Sequence, residues 1–247
     1  ATLVLRWKDG WLLVDWMVSP AEALDPIPNA PNQVRIPMLP LPLADDELAA
    51  VISDVDGVLV THTHRDHWDD RAAVLIPNDT PLLCQPPDLE RLRGQGFDDV
   101  TAIADRVQWQ GLRITRTDGR HGTGEIGERM GQVSGFVIEA SGAPSLYVAG
   151  DTIWCDEVES ALRYHQPEVI VLNAGAAQFL VGDPITMTTE DVLKVAAAAP
   201  TARIVAVHMD TINHCLLTRE ALRRAVDEEG LSHRILVPDD GERITMS

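Results

Sequence analysis

The chain has 247 residues, of which 45% are hydrophobic and 23% are charged, so it is long enough to bury one sizeable core and predicts a single domain over residues 1–247. It carries 20 basic and 38 acidic residues, a net charge of −18, which disfavours nucleic acid and anionic membranes as partners. No apolar run approaches the roughly 18–20 residues of a membrane span.

The ends and the cysteines of the chain bear on its location. No charged and then apolar leader is recognisable, but the sequence starts at Ala1, so a removed leader stays open. Cys84, Cys155 and Cys215 are odd in number and widely spaced, which is typical of reduced thiols. We therefore expect a cytoplasmic protein.

The first half of the chain predicts strands, a long loop and short helices. An Asp-Gly pair separates two short apolar strands and indicates a hairpin. Residues 19–43 are rich in proline, which excludes helix and regular strand, so they form a long loop. The predicted strands are residues 2–5, 11–14 and 56–61, and the predicted helices are residues 45–53 and 88–94.

The second half alternates strands with amphipathic helices. The predicted strands are residues 106–109, 112–117, 131–139, 145–149, 168–172 and 203–208. The predicted helices are residues 156–165, capped by Asp156, residues 188–199, and a last helix that begins after Thr218. This mixture predicts an α/β sandwich with helices outside two central sheets.

The densest cluster of chemically active side chains follows the apolar residues 58–60. His62 and His64 are two positions apart on an extended chain, so they point to one side and can bind one ion together. Asp66 and His67 come after the chain has turned and can reach a second ion. Imidazole and carboxylate suit zinc, iron or manganese. A polar loop without metal is the alternative.

The pattern His62-x-His64-x-Asp66-His67 resembles the signature of the metallo-β-lactamase superfamily. That resemblance implies a four-layer αββα sandwich and three more ligands, each after a predicted strand: His121, Asp151 and His208. It implies that His62, His64 and His121 hold one ion, that Asp66, His67 and His208 hold the other, and that Asp151 bridges them. Two divalent ions are expected, with zinc as the default and manganese or iron open.

Several further residues resemble supporting groups of such a site. Asp15 follows a strand and could orient a ligand imidazole, or could simply cap the loop after it. Thr152 and Asn173 could hydrogen-bond a ligand or the substrate. His214 could face the cavity as a substrate contact or proton donor, but a surface position is equally open.

The proline-rich segment at residues 19–43 has two interpretations. In the superfamily, a loop near the start of the chain often overhangs the metal centre. This segment could therefore shape the substrate entrance, with Trp16, Met17 and Ile27 as apolar contacts. It could equally be a connector along the surface.

The resemblance also implies the reaction. An aspartate, Asp151, stands where true β-lactamases have a cysteine, and the Gly-Asp-Thr and Val-His-Met-Asp segments look similar to the branch of ascorbate-6-phosphate lactonase and N-acylphosphatidylethanolamine phospholipase D-like hydrolases. Residues 1–3 lack the upstream glycine–histidine segment of that branch.

A metal-bridged hydroxide would attack a small ester, lactone or phosphodiester, and Asp66 could orient it or shuttle a proton. A di-iron redox protein and a non-catalytic metal-binding protein are the two competing hypotheses. A small-molecule substrate is the expected partner, and a homo-oligomer is open.

Overall fold

A computed structural model describes residues 1–246 of the chain. Its strands are β1 Leu3–Trp7, β2 Gly10–Val14, β3 Gly57–Val60, β4 Leu82–Cys84, β5 Val100–Ala102, β6 Arg106–Trp109, β7 Leu112–Asp118, β8 Ser134–Ala140, β9 Leu146–Val148, β10 Val169–Asn173, β11 Arg203–Val207 and β12 Ile235–Leu236. Its α-helices are α1 Asp45–Asp54, α2 Asp70–Leu75, α3 Leu89–Gly94, α4 Gly124–Met130, α5 Asp156–His165, α6 Thr189–Ala198 and α7 Arg219–Glu228.

The strands form two sheets. The first has five strands in the order β1-β2-β3-β4-β5, in which the β1–β2 hairpin is antiparallel and the remaining pairs are parallel. The second has seven strands in the order β12-β11-β10-β9-β8-β7-β6, with β9 to β12 parallel to one another. The carboxyl ends of the parallel strands therefore meet at one edge of each sheet, which is where sites form in such folds.

The alternating side chains of strand β3 pack against a different layer on each face of the first sheet. Val58 and Val60 pack against the helices outside the first sheet, whereas Leu59 between them packs against the second sheet. Successive side chains of a strand point to opposite faces, so a strand covered on both faces is apolar throughout. The second sheet is covered on its outer face by α5, α6 and α7. The predicted four-layer αββα sandwich is confirmed.

The cap predicted at Thr218 is confirmed, the cap predicted at Asp156 is wrong, and Thr188 caps its helix although only the start of that helix was predicted. Thr188 and Thr218 accept hydrogen bonds from the backbone N–H of Asp191 and Ala221, respectively. The prediction that Asp156 caps α5 is wrong, because Cys155 occupies the capping position and Asp156 begins the helix. An acidic residue in the first turn still interacts favourably with the helix dipole.

The elements that the sequence did not predict are short. Strands β4, β5 and β12 have two or three residues, too few for any periodicity. Helix α4 contains glycine, which is a poor helix former. The strand predicted from residue 131 begins at Ser134. Among residues 1–246, no helix is long and apolar enough to cross a membrane.

The layered core makes a direct prediction for Leu59, which is 0% exposed between the sheets. Leu59→Ala should lower the free energy of unfolding by about 2–5 kcal/mol, because the removed methyl groups leave a cavity between two rigid sheets. Urea unfolding followed by circular dichroism measures it. Leu180→Ala, at a position 67% exposed, is the matched control and should change stability by less than about 0.5 kcal/mol. Equal effects would contradict this account of the core.

Candidate metal centre

The loops at the ends of five strands bring the predicted ligands together. Asp15 follows β2, the residues from His62 to His67 follow β3, Asp151 follows β9, and His208 follows β11. His121 lies in the loop after β7. The burial of each sheet therefore fixes the backbone from which these side chains project.

Two clusters result, each with its potential ligand atoms within 4.8 Å of one another. In the first, His62 Nε2 lies 3.0 Å from His64 Nδ1, with His121 beside them. In the second, which also contains Asp66 and Asp151, His67 Nε2 lies 3.0 Å from His208 Nε2.

A carboxylate lies between the two clusters. Asp151 Oδ2 is 3.1 Å from His67 Nε2 and 3.6 Å from His121 Nε2. The second carboxylate, Asp66, has its Oδ2 atom 3.4 Å from His208 Nε2. One oxygen of Asp151 is thus within reach of both groups of donors.

The carboxylate of Asp15 fixes the ring protons of two histidines. Thr61 donates its backbone N–H to Asp15 Oδ1 at 2.8 Å and its hydroxyl proton to Oδ2 at 2.9 Å. Because that hydroxyl has no second proton, it accepts from His62 Nδ1 at 3.1 Å. His67 Nδ1 donates to Asp15 Oδ2 at 2.6 Å. Since Nδ1 is the donor in both rings, Nε2 is the nitrogen that faces the site, and it offers a lone pair whenever the ring is neutral.

Two more histidines are held in the same manner. His121 Nδ1 donates to the carbonyl of Ile185 at 2.8 Å, so its Nε2 also carries a lone pair. His208 has its Nδ1 3.5 Å from the sulfur of Cys215, and its Nε2 faces His67. Ring partners of this kind are typical of metal-binding histidines.

This donor set fits metal ions. Two ring nitrogens 3.0 Å apart need either a proton or a cation between them, because two facing lone pairs would repel. Two nitrogen atoms bound to one zinc ion at about 2.1 Å lie roughly 3.4 Å apart in tetrahedral geometry, close to the observed spacing. Imidazole nitrogen and carboxylate oxygen also match the ligands that zinc prefers.

The electrostatics of the two clusters differ. Burial and the nearby His67 hold the pKa of His62 well below its usual value, and burial lowers the pKa of His121. Burial also lowers the pKa of His208, but Asp151, Cys215 and the hydrogen bond with Asp66 together outweigh it, so this pKa lies well above its usual value. The second cluster thus attracts positive charge more strongly than the first.

The two carboxylates remain ionised despite their burial. Burial raises the pKa of Asp151, but the imidazoles of His67 and His208 outweigh it and hold this pKa well below its usual range. Burial opposes ionisation of Asp66 in the same manner, and His67 and His208 again keep its pKa well below the usual range.

The predicted supporting residues have different outcomes. Asp15 contacts a ligand histidine as expected, and Asn173 donates to Asp151 Oδ1 at 2.7 Å. Within residues 1–246, Thr152 hydrogen-bonds none of the proposed ligands. Its hydroxyl accepts from the backbone N–H of Arg120 and donates to the carbonyl of Ile153, so it steadies the loop that carries His121.

His214 is buried, with 6% of its surface exposed, so the interpretation as a surface residue is wrong. Its ring lies 5.7 Å from that of Phe179, and its Nδ1 has no hydrogen-bond partner among the described residues. Burial lowers the pKa of His214, so the ring is neutral near pH 7. A neutral imidazole with a free nitrogen can bind a ligand by a hydrogen bond.

The proline-rich segment is hydrogen-bonded to two loops that carry the predicted ligands: the histidine motif after β3 and the loop after β11. The guanidinium of Arg65, inside the histidine motif, donates to the carbonyl of Asp25. The side chain of Asn213 accepts from the N–H of Ile27 at 2.9 Å and donates to the carbonyl of Asn32 at 2.9 Å. These contacts favour a role at the entrance over that of a surface connector.

Apolar contacts reinforce this arrangement. Met17 and Ile27 join an apolar cluster that includes Ile185 and Ile212. Trp16, the third apolar contact that the sequence suggests, instead packs in the core between the first sheet and its helices.

Some contacts at the centre gave no sequence signal. Ile185 holds His121 across 64 residues through its backbone carbonyl, which any residue could supply. Cys215 contacts His208 within the loop after β11, and Phe179 contacts His214 from the loop after β10; neither belongs to a recognisable motif. Thr61 stands beside the histidine motif, so its role was within reach of sequence reasoning.

Similarities to known proteins agree with this geometry. A family model described as "Beta-lactamase superfamily domain" matches residues 23–209. Together with the fold and the two clusters, this match identifies the class as the metallo-β-lactamase superfamily.

Within that class, the chain belongs to the UPF0173 family of metal-dependent hydrolases. It is 37% identical to the UPF0173 protein YddR of Bacillus subtilis (strain 168), over 99% of this chain and 96% of that protein. It is 26% identical to a UPF0173 metal-dependent hydrolase of Azorhizobium caulinodans, over 81% of this chain and 86% of that protein.

Two solved structures are closely similar throughout. A possible metal-dependent hydrolase from Veillonella parvula DSM 2008 has a TM-score of 0.95 and 36% identity, covering 99% of this chain and 96% of that chain. An isothiocyanate hydrolase from Delia radicum gut bacteria has a TM-score of 0.93 and 38% identity, covering 100% of this chain and 96% of that chain. The narrower resemblance to the lactonase and phospholipase D-like branch stays a prediction.

Asn213 offers a test of the attachment of the proline-rich segment. Asn213→Ala should lower the free energy of unfolding by about 1–3 kcal/mol, because it removes the buried Asn213 amide and leaves partly buried backbone groups of Ile27 and Asn32 without this partner. Hydrogen exchange of residues 24–34 should accelerate selectively. Gln108→Ala, on an exposed part of β6, is the control and should leave this exchange unchanged. Unchanged exchange in Asn213→Ala would refute the attachment.

Proposed function

We propose that the two clusters hold two divalent metal ions, zinc by default, and that the chain uses them to hydrolyse a small uncharged electrophile such as an ester or lactone. His62, His64 and His121 would hold one ion, and Asp66, His67 and His208 the other. Asp151 would contribute to both. The observation that carries the proposal is the pair of facing ring nitrogens in each cluster, 3.0 Å apart, with one Asp151 oxygen within reach of both.

The metals and the protein contribute different chemistry. When bound, such ions lower the pKa of a water molecule toward neutrality and polarise the oxygen of a substrate. Asp66 supplies an ionised carboxylate at the same place, since its pKa lies well below the usual range. It can therefore accept a hydrogen bond from the attacking water and orient that water for attack. Asp15 and Asn173 keep His67 and Asp151 in position.

His214 supports the departure of the leaving group. Its ring is neutral and buried, and its Nδ1 is free of protein partners among residues 1–246. One N–H of the ring can donate to the oxygen or nitrogen that becomes negative as the bond breaks. The contact with Phe179 restricts the orientation of the ring, which lowers the entropic cost of that hydrogen bond.

An isothiocyanate is a second candidate substrate. The observation that favours it is the 38% identity over the whole chain to an isothiocyanate hydrolase. The central carbon of an isothiocyanate is an electrophile like an ester carbonyl. Addition of one water forms a carbon–oxygen bond and protonates the nitrogen; cleavage of the carbon–nitrogen bond then releases an amine and carbonyl sulfide. The same water, carboxylate and imidazole would serve both reactions.

Phosphodiester hydrolysis, redox chemistry and metal binding without catalysis have less support. A phosphodiester carries a negative charge, and the chain has a net charge of −18. Membership in a family of metal-dependent hydrolases favours hydrolysis over di-iron redox chemistry and over a non-catalytic role.

Metal content tests the centre itself. The protein should contain about two divalent ions per chain by elemental analysis, and Asp151→Ala should reduce this to about one and abolish turnover, because the shared carboxylate is lost. Asp79→Ala removes an exposed acid elsewhere and should keep both ions and full activity. Full occupancy and activity in Asp151→Ala would refute the assignment.

Substrate class is tested by a panel of esters, lactones, phosphodiesters and isothiocyanates assayed with the purified protein. We expect turnover of neutral carbon electrophiles, lost on chelation and restored by zinc. Activity on phosphodiesters alone would contradict the proposed class. No turnover of any member by the fully loaded protein would contradict the hydrolysis of these substrates.

The role of His214 is separable from metal binding. His214→Ala should retain about two ions but reduce kcat by about 10²-fold or more, since hydrogen-bond or proton donation to a leaving group contributes roughly this much. The loss should be larger for poor leaving groups than for activated esters. His233→Ala, at an exposed position, is the control. A loss independent of the leaving group would remove His214 from this role.

A further inference from the structure

A cavity of about 770 Å³ connects the metal centre with the space between the sheets. Asp66 and His208 belong to its wall, together with the edge strand β1 and the segment 238–246. This volume lies within the range of roughly 300–1,000 Å³ that small-molecule sites occupy.

The wall next to Asp66 and His208 is mainly apolar. It is formed by side chains from three separate segments of the chain: Met17, Val18, Pro37, Leu39, Met209 and Ile212. Farther inside, the wall consists of aliphatic residues from both sheets, such as Leu3, Leu5, Val169 and Val205. Protein interiors are normally filled to crystal-like density, so an apolar space of this size is suited to an apolar guest.

The charges of the wall do not favour an anionic guest. Its arginines are Arg6, Arg219 and Arg243 among the described residues 1–246. Arg6 lies over the ring of Trp11, 3.3 Å from its centroid, and Arg219 is paired with Asp210 and Asp240. Arg243 is exposed. These arginines are therefore either engaged or at the surface.

We propose that this cavity holds the alkyl or aryl part of an uncharged substrate whose electrophilic carbon lies beside Asp66 and His208. The proposal rests on the proposed function, because it needs the reaction to occur where the cavity meets these two residues. It adds a substrate class: neutral electrophiles with an apolar tail, rather than polar lactones or sugar derivatives. Leu39, which is half-buried in the wall, determines how much of the tail can enter.

The kinetic test uses a series of substrates with one reactive group and straight tails from methyl to octyl. Each added CH₂ that enters the cavity contributes about 0.8 kcal/mol, so kcat/KM should rise up to about fourfold per CH₂ until the cavity is full. Leu39→Trp should reduce the ratio of octyl to methyl kcat/KM by at least tenfold. Val74→Trp places the same ring on an exposed surface outside the cavity and should leave the ratio unchanged.

A binding test separates this proposal from the proposed function. The neutral fluorescent probe N-phenyl-1-naphthylamine should bind the purified metal-loaded protein, long alkanols should displace it better than short ones, and Leu39→Trp should weaken its binding at least tenfold. Probe binding of this kind without turnover of any substrate would support the cavity and overturn the hydrolytic function. If kcat/KM did not depend on tail length and Leu39→Trp did not weaken probe binding, the cavity proposal would be overturned. The proposed hydrolytic function would then stand without it.

Discussion

The carboxylate of Asp15 is the interaction on which the rest of the centre depends. Its two oxygens accept hydrogen bonds from the backbone and hydroxyl of Thr61 and from the ring of His67. These bonds join the end of β2 to the loop after β3 and set the ring orientation in both clusters. The residue adopts a positive φ of 50°, a conformation that aspartate tolerates better than most residues. The sharp turn there returns its side chain toward the histidines.

The sandwich supplies the conditions under which this carboxylate is effective. Asp15 is 2% exposed and His67 is fully buried, so their hydrogen bond is little weakened by water. The same burial would be costly for Asp66 and Asp151 if the neighbouring imidazoles did not offset it. Two buried carboxylates that need positive charge beside them are suited to binding cations. The apolar wall of the adjoining cavity continues the same low-polarity environment toward the substrate.

Much of this arrangement could be predicted from the sequence. The histidine motif follows an apolar strand, and His121, Asp151 and His208 each follow another, so strand periodicity and order along the chain indicated both the fold and the clusters. The cap of α5 was misplaced by one residue because aspartate is a favoured capping residue, whereas the residue with the extended backbone of that position is Cys155, whose side chain makes no capping hydrogen bond. The burial of His214 could not be predicted, since it depends on a loop whose sequence has no periodicity. A single domain, a cytoplasmic location and a homo-oligomer stay predictions.

The proposed metal ligands are far apart in the sequence, and this separation has a consequence for folding kinetics. The second cluster joins His67 to His208, 141 residues apart, and these two residues come from different sheets. Contacts of such high sequence separation form slowly, because the loop-closure entropy must be overcome first. The complete set of donors therefore exists only after both sheets have assembled, so the full site for a metal ion forms late in folding. A metal ion that binds only this native site would stabilise the native state by mass action and slow its unfolding, without accelerating its formation.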